Sequence, residues 1–162
     1  MPLLIDGKAS TDHWVFLNSE RLAADVERTL TLAQQSADAV VYPLAVYFAH
    51  RERLNLDPEK TGILVKGDDD LSELASVLQE VSLIAIDFPV LRDGRGFSIA
   101  RNVTRRGFKG QVRAVGDVSY DRLDHMHRSG FNAYQIADEL YTEQICNAFS
   151  EITVNYQPTH LR

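Results

Sequence analysis

The chain has 162 residues, 44% hydrophobic and 25% charged, the length and composition of one ordinary globular domain and not of a disordered or fibrous protein. A formal net charge of −6 sets most of the surface against a polyanion, so broad nucleic-acid binding is excluded and only a local basic pocket is left open. No apolar run nears the roughly 20 residues that span a bilayer, "MPLLIDGKAS" is too acidic for a signal peptide, and one cysteine excludes an internal disulfide or four-thiolate cluster; a cytoplasmic protein is expected.

In chain order, "LLIDGKASTDHWVFL" reads as two short strands about Asp6-Gly7, a dipeptide that tolerates the positive φ angles of a tight turn, giving an N-terminal hairpin over residues 3–17. "NSERLAADVERTLTLAQQ" then puts Leu22, Val26, Leu30 and Ala33 on one helical stripe, with Asn18 or Ser19 as cap. Strand-like runs follow at residues 39–44, 62–67, 83–88, 112–117 and 132–137. Helical stretches separate them: "LAVYFAHRERLN", "DDDLSELASVLQEV" with an aspartate cap and Leu71, Leu74, Leu78 and Val81 at helical spacing, "FSIARNVTRRG" and "SYDRLDHMHRSG". The last two end on Gly107 and Gly130, suited to a left-handed cap. A C-terminal helix carries Cys146 near Leu140, Ile145, Phe149 and Ile152 as a buried structural thiol, and the tail 153–162 packs over the domain or an adjacent subunit.

Strands apolar on both faces, each followed by a helix, predict an α/β fold with a mainly parallel sheet of about five βα units, in a single domain over residues 1–162. At this length the sheet is either open and doubly wound or a truncated, barrel-like array, and the pattern leaves strand order undecided.

Ligands collect where parallel strands end, because loops converge there and helix N-termini offer unpaired N–H groups. That rule selects Asp87, Arg92, Asp93, Gly94, Arg95, Gly96 and Ser98 after the third run, Gly116, Asp117 and Asp121 after the fourth, and Lys66 and Asp68 after the second. The glycines of "DGRGFS" let backbone approach a ligand, Arg92 and Arg95 suit a carboxylate, sulfate or phosphate, and Ser98 suits a cap or an anion. The same loop also reads as a tight turn whose arginines pair with surface carboxylates. Asp117 reads as a general base, an arginine partner or a plain helix cap, and Asp87, ending an apolar strand, as a carboxylate whose pKa burial raises unless a cation, for which Arg113 and Arg95 are candidates, or several N–H donors offset it. "GRG" lacks the G-x-G-x-x-G spacing of a dinucleotide site. His125 and His127, two apart, point to different sides of a helix and do not suit one metal, and His50 and His160 have no visible partner.

The block "IDFPVLRDGRGFSIARNVTRRGFKGQVRAVGDVSYDRLDHMHRSGFNAYQI" resembles the core of a bacterial domain-of-unknown-function family, number 934, above all in "FP" (88–89), "DGRGFS" (93–98), "AR" (100–101), "RAVGDV" (113–118) and "GF" (130–131). Its members are often encoded beside the sulfite reductase haemoprotein and described as probable oxidoreductases. The resemblance implies an accessory protein or probable oxidoreductase of assimilatory sulfite reduction, with sulfite reductase as partner and sulfite, sulfate or a phosphorylated sulfur metabolite as ligand. An anion pocket of Arg92, Arg95 and Arg113, lined by Gly94, Gly96, Ser98 and Gly116 and set against Asp87, Asp93 and Asp117, follows as the expected site. The chain departs from the family at Ser119, Tyr120 and Arg122, keeps Asp121, and has Ser129 where a cysteine is common, so no mechanism can use a thiol there. No cofactor is assigned, since thiolate pair, haem motif and nucleotide fingerprint are all missing. Two other readings stand: a small α/β enzyme using Asp87 or Asp117 as acid or base on a phosphorylated or carboxylated metabolite, and a non-catalytic protein-binding module. A homo-oligomer is compatible with each.

Overall fold

Asp6 and Gly7 take φ angles of 49° and 75°, the left-handed pair a two-residue hairpin requires, and join β1 (Leu3–Ile5) to β2 (Lys8–Ser10) in antiparallel register. The structure, a computed structural model, describes residues 2–17, 22, 25–35, 38–53, 56–90, 92–142 and 145. The expected cap at Asn18 or Ser19, Cys146 and the tail lie outside them. β3 (Trp14–Phe16) leaves the ribbon in which the sequence placed it and pairs in parallel with β4 (Ala39–Pro43). The β-prone run "WVF" specifies a strand but not its neighbour, so residues 3–17 form a hairpin plus a separate strand.

β5 (Thr61–Val65), β6 (Leu83–Phe88), β7 (Gln111–Gly116) and β8 (Ala133–Gln135) follow, each parallel to the one before, and β1 closes antiparallel on β8. The spatial order is therefore β2-β1-β8-β7-β6-β5-β4-β3. The parallel strands run in chain order with no reversal, so the switch-point crevice of a doubly wound sheet does not arise. Curvature follows from the connection between the edges. β2 and β3 are the two outermost strands, yet only Thr11, Asp12 and His13 join them, a reach of about 14 Å, whereas a flat eight-stranded sheet would hold them roughly 34 Å apart. The sheet must curl until its edges approach.

Helices cover the outer face. α1 (Val26–Gln35) starts at Asp25, whose Oδ1 accepts the Arg28 N–H at 3.0 Å, and buries Leu30. α2 (Leu44–His50) follows β4, α3 (Arg95–Arg105) follows β6, and α4 (Leu123–Arg128) follows β7 after a 3-10 turn at Tyr120–Arg122. The segment after β5, expected to be an α-helix, forms turns and a 3-10 helix at Leu74–Val77. Its backbone bonds close over three residues, Leu74 N–H to Leu71 O, Ser76 N–H to Glu73 O and Glu80 N–H to Val77 O, and Leu71, Leu74 and Val77 at intervals of three share one side of such a helix.

β6 is apolar on both sides because both sides are covered: Leu83, Ile84, Ala85, Ile86 and Phe88 are all fully buried. Ile84, Ile86 and Phe88 face the helices and pack in the main core with Ile99, Ala100 and Val103 of α3. Leu83 and Ala85 face the concave interior with Val41 and Val115, against Trp14, Phe16 and Leu64. By the two-residue period of a strand, Asp87 shares that interior side at the C-terminal mouth of the curl.

Candidate functional site

The loop between β6 and α3 is built around one carboxylate. Asp93 Oδ1 accepts the Arg95 backbone N–H at 3.1 Å and its Nε at 3.0 Å, while Oδ2 accepts Nη2 at 2.7 Å. These bonds to Arg95 hold the Asp93 carboxyl at about 2, well below the usual range, and the same pairing raises Arg95. Arg95 lies along Gly67, where an added Cβ would sit 2.6 Å from Nε, so the loop passes close against the chain just past the end of β5. The second glycine of "DGRG" is steric in purpose: a Cβ on Gly96 would meet Phe88 Cζ at 2.6 Å. Gly94, in contrast, has nothing within 4 Å of its hypothetical Cβ and begins α3 with no side-chain cap.

Asp87 projects at the mouth, half-buried. Burial pushes its pKa up first of all; Lys66 pulls it back, and the charges of Asp93 and Asp68 push it up further. Gly116 makes room beside it. That residue has φ +86°, and a Cβ there would stand 2.5 Å from Phe88 O and 2.8 Å from Asp87 Oδ1, so a side chain is excluded by contact and by conformation. Beyond it the Asp117 N–H donates to Phe88 O at 2.7 Å, and Arg122 Nη1 donates to Asp117 O at 3.2 Å. The Arg122 guanidinium lies 4.9 Å from the Phe88 ring centre and 5.3 Å from that of Phe97, and Phe97 stacks on His125 at 4.3 Å. Burial, then the nearby Arg128, Arg101 and Arg122 charges, hold His125 below the ordinary imidazole range.

Lys66, Asp87, Asp93, Arg95, Gly116 and Asp117 are thus brought to one end of the sheet, with Arg92 exposed on the loop above them. Arg113 is not among them. Its fully buried guanidinium lies inside the curl and forms a two-pronged bond with Asp12, Nη1 to Oδ2 at 2.8 Å and Nη2 to Oδ1 at 3.0 Å, with Phe16 5.7 Å away. Asp12 precedes β3 and the Gln111 contact at 3.3 Å is at the start of β7, so this arginine is directed to the N-terminal end. Neither arginine offered as a partner for Asp87 pairs with it: Arg113 has Asp12, and Arg95 has Asp93. Ser98 lies on the flank of α3, lining a cavity with Leu71, Leu74 and Leu78. Asp121 accepts the Ser119 hydroxyl at 2.6 Å and does not cap α4. In "KGDDD", Asp69 accepts the Lys66 N–H at 2.7 Å and Asp70 that of Ser72 at 2.9 Å, the work of a turn.

Sequence reasoning gave no role to Arg122, Phe97 and Asp12. An arginine flanked by residues three and four away offers a signal for local pairs only, and Asp12 lies 101 residues from its partner. Among the described residues no three His, Cys, Asp or Glu side chains are grouped to hold a metal ion, and no helix is long and apolar enough to cross a membrane.

A family model described as "Bacterial protein of unknown function (DUF934)" matches residues 62–162, which carry β5 from its second residue, β6 to β8 and the whole mouth loop. The chain belongs to this family. Membership of DUF934 covers the segment in which the resemblance was read, from "FP" to "GF", and places Asp93, Arg95, Gly96 and Gly116 within the matched part. Asp12 and β1 to β4 lie before it. No curated protein matches the chain.

Proposed function

We propose that this DUF934 protein binds a small oxyanion at the C-terminal mouth of its curled sheet and serves assimilatory sulfite reduction, as an accessory protein of sulfite reductase or its associated oxidoreductase. The observation that carries the site is Asp87: a half-buried carboxyl with a raised pKa that shares the mouth with Lys66 but makes no direct ion pair with it. Lys66 and Arg92 supply the positive charge, since Arg95 is already satisfied by Asp93. An anion seated between Lys66 and Arg92 gains two charge-assisted contacts, and Asp87, which takes up a proton more readily than an exposed aspartate, would donate a hydrogen bond to it when protonated. The pathway rests on the family resemblance.

Calorimetric titration with sulfite, sulfate and a phosphorylated sulfur metabolite tests the site. Wild type binds at least one, Lys66→Ala and Arg92→Ala each weaken binding about tenfold, and absence of binding by wild type overturns the proposal. For the pathway, deleting the gene slows growth on sulfate as sole sulfur source and leaves growth on cysteine unchanged; equal growth on both removes it. The raised Asp87 pKa also favours a second reading, a small enzyme with Asp87 as proton donor to a carboxylated or phosphorylated metabolite, for which turnover fails in Asp87→Asn while anion binding persists.

A further inference from the structure

Charge on this chain is segregated. Between Arg92 and Arg113 it carries seven basic residues and one carboxylate, Asp93, although the whole protein has a net charge of −6. Two of the seven are used internally, Arg95 by Asp93 and Arg113 by Asp12. Arg101, Arg105, Arg106 and Lys109, on α3 and the turn after it, are exposed and have no carboxylate partner among the described residues; Arg106 donates to Asn102 Oδ1 at 2.6 Å. On this acidic protein one helical face of about 16 Å is positive and, among the described residues, without a carboxylate partner.

Beside this face the 3-10 segment does not close against α3. A cavity of about 140 Å3 remains, floored by Leu74, Leu78, Ile99 and Val103 and edged by Asn102 and Arg106. Apolar cavities of about 150 Å3 hold one benzene-sized group. Arg106 and Asn102 also belong to the shallow basic depression with Arg101 and Arg105, so the apolar and charged features are continuous.

From this continuity we infer that the outer face of α3 docks an acidic segment of another protein, whose carboxylates lie on Arg101, Arg105 and Lys109 while one aromatic or aliphatic side chain enters the cavity. A small monoanion would sit in the basic depression and leave the apolar cavity beside it unfilled. A nucleic acid is disfavoured by the net charge and by the lack of an exposed aromatic on α3 among the described residues. Complementary charge of this kind speeds association and weakens with salt. The inference is independent of the mouth site.

The test uses the full chain and a synthetic peptide of alternating Glu and Asp with one central Phe, followed by fluorescence anisotropy in low salt. Binding is expected, weakened at least tenfold by Arg101→Glu with Arg105→Glu, at least fivefold by Ala75→Trp at the cavity edge, and as much by Phe→Ser in the peptide. Arg92→Ala leaves it unchanged, which separates this surface from the mouth. Should the double charge reversal perturb folding by circular dichroism, Arg101→Gln with Arg105→Gln replaces it. No binding by wild type, equal binding by the variants, tighter binding of an oligothymidylate of equal charge, or occupation of the cavity by a second copy of the chain would each overturn the inference.

Discussion

Removing Asp12 leaves Arg113 as a buried, unmatched cation. In Asp12→Ala both acceptors vanish, at 2.8 and 3.0 Å, and the guanidinium keeps only Gln111 at 3.3 Å; its Nε has no partner even in the intact protein. Stripping one partner from a buried pair costs about 3–5 kcal/mol. The Asp12 side chain is 23% exposed while Arg113 is 0% exposed, so water reaches one side of the pair and the lower end, about 3 kcal/mol, applies. Against a total stability of about 5–15 kcal/mol this is a large loss, lowering the melting temperature by about 6–12 °C in a chain of this length. Arg113→Met is expected to cost less, about 1 kcal/mol, because the partly exposed Asp12 carboxylate recovers water while methionine fills the interior. Urea denaturation followed by far-ultraviolet circular dichroism measures both. A loss below about 1 kcal/mol for Asp12→Ala, or a larger loss for Arg113→Met, would refute the view that the buried cation is the costly partner.

Three further outcomes follow from the mouth loop. Gly96→Ala forces a Cβ to within 2.6 Å of Phe88 and costs about 1–3 kcal/mol by overpacking, whereas Gly94→Ala, with open space and φ −90°, stays within about 0.5 kcal/mol in the same urea experiment. The folded Asp93 pKa of about 2 lies below its unfolded value, so its stabilisation is complete above the unfolded value and is lost as pH falls towards about 2; the stability gap between wild type and Asp93→Asn should narrow over that window, and a gap independent of pH contradicts the pairing. Asp87 has the opposite sign. Its raised pKa makes ionisation unfavourable to folding above that pKa and neutral below the unfolded value, so Asp87→Asn raises the melting temperature at neutral pH and the gain fades in acid; a lowered melting temperature at neutral pH contradicts this.

What could be read from sequence was whatever a local rule controls. β6 was legible over residues 83–88 because burial on both faces leaves an unbroken apolar run, and Asp6-Gly7 because two positive φ angles admit few residues. The pairing of β3 and the Asp12–Arg113 contact were not, since each joins segments far apart in the chain and depends on how far the sheet curls. Residues 71–81 show a subtler failure: spacings of three and four coexist there, and only packing against β6 and α3 decides between a 3-10 and an α-helical turn. At the site, position along the chain selected the loop and the strand ends. It did not select which arginine meets which carboxylate, and all three arginines offered for one pocket have different surroundings.

Among the described residues, Arg113 and Asp87 both bring charge to the concave side of the sheet, and the two cases differ in kind. Arg113, at the middle of β7, is matched by a carboxylate with both Nη groups bonded, the condition under which a buried ion is tolerated as structure. Among the described residues Asp87, at the end of β6, has Lys66 to favour its charge without a direct ion pair, while Asp93 and Asp68 oppose it. Were Asp87 a structural residue, a nearby arginine would be the economical neighbour, and Arg95 stands on the same loop; instead Arg95 is committed to Asp93 through three hydrogen bonds. A carboxyl left partly uncompensated where the strands open to solvent is costly to stability and useful to ligand chemistry. That contrast separates Asp87, level with Val115, from Arg113, level with Ala85, and it is why the mouth, and not the interior, is the place to look for a bound anion.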